Sequence, residues 1–158
     1  MFLAMVILVL SAAMLCFYFQ TICQRILRQE FDRQYFLPIV NANRLEFPMV
    51  RKAIEEFDVP VDYARFRMML KCDFIALTYL LKNAANKDRQ YTLEERLLMV
   101  YFHGICIWLQ FRHLFRMDEK FPILQLTSIL EYFGNVVGRR VGFARFGDLS
   151  ASDYLLTL

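Results

Sequence analysis

Few residues in this chain break a helix or cradle a phosphate. Its 158 residues include five glycines and four prolines, with no Gly-rich run of the kind that wraps a nucleotide. None of the four serines stands in a nucleophile-elbow setting. The four cysteines, Cys16, Cys23, Cys72 and Cys106, are widely spaced and make no CxxC pair. That removes the usual zinc and thiol–disulfide frameworks and leaves free thiols suited to a reducing compartment. A net charge of +3 is too small to signal nucleic acid, and the aromatics follow a core period, not an exposed stacking platform. The paired acids Glu55/Glu56 and Glu94/Glu95 sit on helix surfaces or starts, where they serve solubility and capping better than acid–base chemistry. Together these absences point away from an enzyme.

The longest absence is one of charge. No charged side chain precedes Arg25, and Phe2 to Phe19 are apolar apart from Ser11. Eighteen such residues at helical rise cover about 27 Å, close to the ~30 Å hydrocarbon layer of a bilayer. A cleaved leader would carry a basic start and a shorter apolar stretch. Here nothing basic precedes the run, and the run continues through the small triplet Ser11-Ala12-Ala13. Residues 1–24 therefore read as an uncut transmembrane anchor. The cations Arg25, Arg28 and Arg33 follow it, so the positive-inside rule places the N-terminus outside and the C-terminal domain on the cytoplasmic or organellar-matrix side.

What is abundant is apolar and aromatic. Apolar residues make up 58% of the chain, and 21 of its 25 aromatics lie beyond the anchor. A small domain has limited interior for so much Phe and Tyr, so some of that surface is expected to meet lipid or another protein.

The patterning is all-α: one transmembrane helix followed by a bundle of about four helices. Residues 25–46 read as a juxtamembrane helix and connector, with a boundary at Leu37 because Pro38 disfavours helix before it. The bundle domain is assigned to 47–138. Pro48 opens a short helix with Val50, Ala53, Ile54 and Phe57 on its apolar face, backed by the i,i+4 pairs Arg51–Glu55 and Lys52–Glu56. Asp62 caps the next helix, which buries Tyr63, Phe66, Leu70, Phe74, Leu77 and Leu81. Thr92 and Glu95 form a capping box. The charge-free stretch Leu97–Phe111 that follows reads as a central helix buried all round, being short for a second span. The last helix, from about Lys120 to Val137, presents Ile123, Leu126, Leu130, Phe133 and Val137 at 3-4-3-4 spacing. Gly134, Asn135 and Gly138 are expected to end it, leaving 139–158 as an extended C-terminal tail.

The most suggestive chemical stretch is FHGICIWLQFRHLF, with both histidines and the single tryptophan. His103 and His113 are ten residues apart, about 15 Å along a helix, too far to share one metal or haem. His103 reads as a core histidine, and as a haem or metal ligand only with help from another helix or chain. His113 reads as a surface residue favoured by the helix C-terminus. No cofactor or metal is expected. The residues expected to touch a partner or lipid are Arg25, Arg28, Arg112, Arg116, Arg139, Arg140, Phe143, Arg145 and Phe146.

The resulting expectation is a non-catalytic, single-pass accessory subunit that docks on a larger membrane protein complex through anchor, bundle and tail. Its partners would be integral membrane subunits and membrane lipids, not nucleic acid. The alternatives are a membrane-tethered adaptor for a soluble partner, and a haem- or metal-binding subunit using His103.

Overall fold

The computed structural model describes the backbone of residues 1–28, 33–56, 62–83 and 91–155. Side chains are described over the same ranges except at residues 2, 33–36 and 142–155. Six helices and no strand occur among them: α1 (Phe2–Leu27), α2 (Arg33–Asn43), α3 (Phe47–Glu56), α4 (Tyr63–Asn83), α5 (Leu93–Leu114) and α6 (Lys120–Leu155). The all-α class with an N-terminal apolar helix is as the patterning predicts.

The centre of the bundle is α6, which packs against α2, α3, α4 and α5 and touches α1. Ile123, Leu126, Leu130, Phe133 and Val137 are all buried on it, as their spacing predicts, and Ile129, Thr127, Tyr132 and Asn135 are buried beside them. Burial at adjacent positions means neighbours on several sides. For the same reason Gly134 and Gly138 do not end the helix: both are buried in its interior. Glycine costs about 1 kcal/mol relative to alanine in a helix, and a helix packed on four others offsets that readily. Its backbone stays helical through Leu155, so the tail expected to be extended from Arg139 is helical over its described backbone. No proline follows Pro122 to stop it.

A second correction concerns Pro38. It lies inside α2, so the helix before it does not end at Leu37 and continues to Asn43; a helix-interior proline costs about 3 kcal/mol. Ile39 and Val40 pack against the core, and α2 lies on α6, so tertiary contact again overrides a local signal. The helix closes one turn on, where Leu45 N–H donates to the Val40 carbonyl and Arg44 takes a left-handed φ of 51°.

Capping joins the elements. The Thr92–Glu95 capping box opens α5 as expected, and Asp62 accepts from Arg65 N–H at the head of α4. The start of α3 is capped from a distance: the buried Asp73 of α4 accepts from Glu46 N–H at 2.9 Å and Phe47 N–H at 2.7 Å. On α3, Val50 and Ile54 are buried, and the pairs Arg51–Glu55 and Lys52–Glu56 form at 3.0 and 3.6 Å. Phe57, the fourth residue expected on that face, lies outside the described residues. Arg51 also reaches Glu131 of α6 at 2.5 Å.

Candidate functional site

Helix α1 divides sharply along its length. Leu3 to Tyr18 are exposed, whereas Cys23 and Ile26 are buried against the domain. Phe19 meets Tyr101 of α5 edge-on at 6.0 Å between ring centroids. The outer part of α1 is thus covered by no described part of the bundle, and its inner end is fixed to it. From Leu3 to Leu27 the helix is long and apolar enough to cross a membrane.

Helix α5 is not the wholly buried centre that its charge-free run suggests. One face carries Leu98, Phe102, Ile105 and Leu109 into the core. The opposite face leaves Val100 63%, Ile107 55%, Trp108 53% and Phe111 53% exposed. These residues recur every three to four positions with Gly104, so they form one stripe facing away from α6. A Cβ added at Gly104 would meet nothing within 4 Å. Helix α4 carries a second outward row, Met68, Cys72, Ile75 and Tyr79, edged by the exposed cations Arg65, Lys71 and Lys82. Helical periodicity marks such a face as apolar but does not say whether the same chain covers it.

The helices α4 and α5 meet through rings. Phe74 stacks on Phe102 at 3.9 Å, and Tyr63 stacks on His113 at 3.9 Å. His113 Nδ1 also pairs with Glu119 at 2.7 Å, which fixes it at the α5–α6 corner. His103 is exposed, not a core histidine. Its Nδ1 lies 2.8 Å from the Met99 carbonyl one turn back, and its ring meets Phe74 edge-on. No group of three or more His, Cys, Asp or Glu that could hold a metal occurs among the described residues. Between the two helices, burial pushes the Cys106 thiol up to about 11, with Arg67 and Lys71 pulling the other way. Burial, reinforced by Glu94, pushes the Tyr132 phenol up to about 12.

The basic residues singled out in the sequence separate into distinct environments. Arg25 and Arg28 are exposed at the inner end of α1. Arg112 is half-buried and donates from Nε to the Asp118 carbonyl at 2.6 Å. Arg116 is exposed, with a left-handed φ of 52°, at the α5–α6 corner. Arg139 is exposed, but its neighbour Arg140 turns inward, to Glu95 and the Leu81 carbonyl. The side chains of Phe143, Arg145 and Phe146 lie outside the described residues. Sequence reasoning missed Asp73, although an acid at the Leu70–Asp73–Phe74–Leu77 spacing of a buried face is a recognisable sign of a buried polar contact.

Against this geometry, comparison with protein-family models, curated proteins and solved structures finds no match.

Proposed function

We propose that this chain is a non-catalytic, single-pass membrane accessory subunit that docks on a larger membrane protein complex. The observation that carries the reading is the outward stripe of α5, where Val100, Gly104, Ile107 and Phe111 lie opposite the core. Contiguous apolar surface on a folded domain marks an interaction site. The exposed apolar length of α1 supports a bilayer as the medium, and Arg25 and Arg28 after it support a cytoplasmic or matrix-side domain. With α1 fixed to the bundle through Cys23 and Ile26, the stripe is held close to the membrane, where an integral partner would meet it.

The outer face of α4 supports a second reading, a membrane-tethered adaptor. There Met68, Ile75 and Tyr79 alternate with cations, and an apolar centre with a polar rim is the anatomy of a non-obligate interface.

Extraction of the tagged chain in gentle detergent, followed by native sizing and mass spectrometry, separates the two. A defined set of integral partners at fixed stoichiometry supports the accessory subunit. A lone or self-associated chain rejects it. A substoichiometric soluble partner, lost on dilution, supports the adaptor.

A further inference from the structure

A crevice of about 390 Å3 opens between the inner end of α1 and the first turns of α6. We propose that it seats the phosphate and glycerol of an anionic phospholipid from the leaflet on the domain side; this rests on α1 crossing the membrane. Its volume falls within the range of small-ligand sites, roughly 300–1,000 Å3.

Position is the first argument. The charge-free run of α1 ends at Gln24. Leu3 to Gln24 spans about 32 Å at helical rise, so the residues just beyond lie at headgroup depth. Cys23 and Ile26 are buried and Phe19 is seated on Tyr101. The domain therefore holds the α6 wall of the crevice at that same depth.

The lining is the second argument. Leu27, Phe121 and Leu124 form an apolar wall, and Arg28 supplies a cation beside the amide side chains of Gln24 and Gln125, which also reach towards the Tyr101 hydroxyl. Ser128 closes the crevice, its hydroxyl donating to the Leu124 carbonyl at 3.0 Å. No acid stands among these described lining residues. A second hollow of about 310 Å3, near α3, is lined by Glu55, Glu56 and Glu131 with Arg51 and Lys52; its three acids already pair with both cations and leave an excess of negative charge that repels an anion. Of these two hollows among the described residues, the crevice at α1 is the one that joins apolar wall, cation and amide side chains without an acid, which suits a molecule with an acyl chain on one side and a phosphate on the other.

Continuity is the third. Phe121 is 56% exposed, and Phe115, Arg116 and Met117 on the corner before it are exposed as well. Aromatic and aliphatic side chains beside arginine are the composition of a surface that rests in the headgroup layer.

The test uses the full chain, delipidated in mild detergent and titrated with phosphatidylglycerol or phosphatidylcholine under native mass spectrometry. The expected result is one phosphatidylglycerol retained per chain, with at least about tenfold preference over phosphatidylcholine. Arg28→Gln lowers phosphatidylglycerol affinity about tenfold and leaves phosphatidylcholine unchanged, because it removes one charge-assisted contact. Phe121→Ala weakens both lipids. Equal retention of the two lipids, or no response to Arg28→Gln in a variant of unchanged helicity, overturns the site. Displacement by excess inorganic phosphate also overturns it, in favour of a small soluble anion. Alkaline carbonate washing of native membranes separates this outcome from failure of the anchor reading. A chain that stays in the pellet yet shows no lipid preference loses the site alone, and one released to the supernatant loses both.

Discussion

Glu95 and Arg140 form a buried ion pair that joins two helix ends to the middle of a third helix. The Glu95 side chain is 3% exposed and that of Arg140 13%. Glu95 accepts from the Thr92 N–H at 3.0 Å at the head of α5 with one oxygen, and meets Arg140 with the other. Arg140 in turn donates to the Leu81 carbonyl at 3.2 Å, near the end of α4. A pair so placed sets where α4, α5 and α6 meet.

Removing one partner leaves the other charged and buried, which costs about 3–5 kcal/mol. Arg140→Met is therefore expected to destabilise the domain by about 3 kcal/mol. Glu95→Gln keeps a capping-box side chain but drops the charge. The double variant should thus recover most of the loss seen in Arg140→Met. Denaturant unfolding of the four proteins in the cycle checks this, and strictly additive losses would show that the two side chains are not coupled.

Asp73 carries a pH signature of the opposite sign to most native carboxylates. Burial holds its carboxyl above the ordinary value of 3.8, and the two backbone N–H groups of Glu46 and Phe47 only partly offset this. The folded state therefore binds the proton more tightly than the unfolded one. The associated stability is fully present below 3.8 and is lost as pH rises through the folded value. Asp73→Asn does not titrate. The stability of the parent relative to this variant should fall as pH climbs from about 4 towards neutrality; a difference that grows over that range contradicts the assignment. Asp73→Ala removes the remote cap of α3 and should cost about 1–2 kcal/mol at neutral pH.

Much of this architecture is legible in residue spacing, and the failures share a cause. The 3-4-3-4 row from Ile123 to Val137 and the Thr92–Glu95 box are local signals, and both appear in the fold as read. Pro38, Gly134 and Gly138 are local signals too, but packing on or within α6 outweighs their few kcal/mol. The misplacement of α5 has a different origin. A charge-free run states that a helix is covered; it does not state whether its own chain provides the cover. Long-range polar partners are the least legible, because nothing near Asp73 in sequence points to Glu46 and nothing near Arg140 points to Glu95.

Two helix ends use arginine where glycine is the usual choice. Arg44 and Arg116 have φ of 51° and 52°, and each precedes a residue whose N–H closes the helix, Leu45 to Val40 and Met117 to Arg112. A left-handed conformation costs a non-glycine residue roughly 1–2 kcal/mol. Part of that is returned as lost entropy when glycine replaces it. Arg44→Gly and Arg116→Gly are each expected to stabilise the fold by about 0.5–1 kcal/mol, read as a rise in thermal midpoint. A fall at either position would mean that the arginine side chain contributes more than its backbone costs.

Thiol labelling distinguishes the outer face of α4 from the α4–α5 seam. Cys72 is exposed on α4, whereas the Cys106 thiol, pushed up to about 11 by burial, is almost wholly protonated at pH 8 and partly covered. Since the thiolate is the reacting form, a maleimide should modify Cys72 at least tenfold faster than Cys106 in the folded chain. Equal rates would mean that the seam opens on the labelling timescale.

Gly104 gives the sharpest test of the docking face, because the isolated chain and the assembly are expected to respond in opposite directions. It lies mid-helix in the exposed stripe, and a methyl group there meets nothing within 4 Å. Alanine is favoured over glycine in a helix by about 1 kcal/mol, so Gly104→Ala should raise the stability of the isolated chain by about 0.5–1 kcal/mol. On a face that receives another helix, the missing side chain is what lets the two backbones approach. The same substitution should then weaken partner retention, and Gly104→Leu should abolish it while leaving the helicity of the chain intact. Co-purification from membranes carrying each variant supplies the second readout. Retention of the partner by Gly104→Leu would place the docking surface elsewhere, with the row Met68, Ile75 and Tyr79 on α4 as the next candidate face.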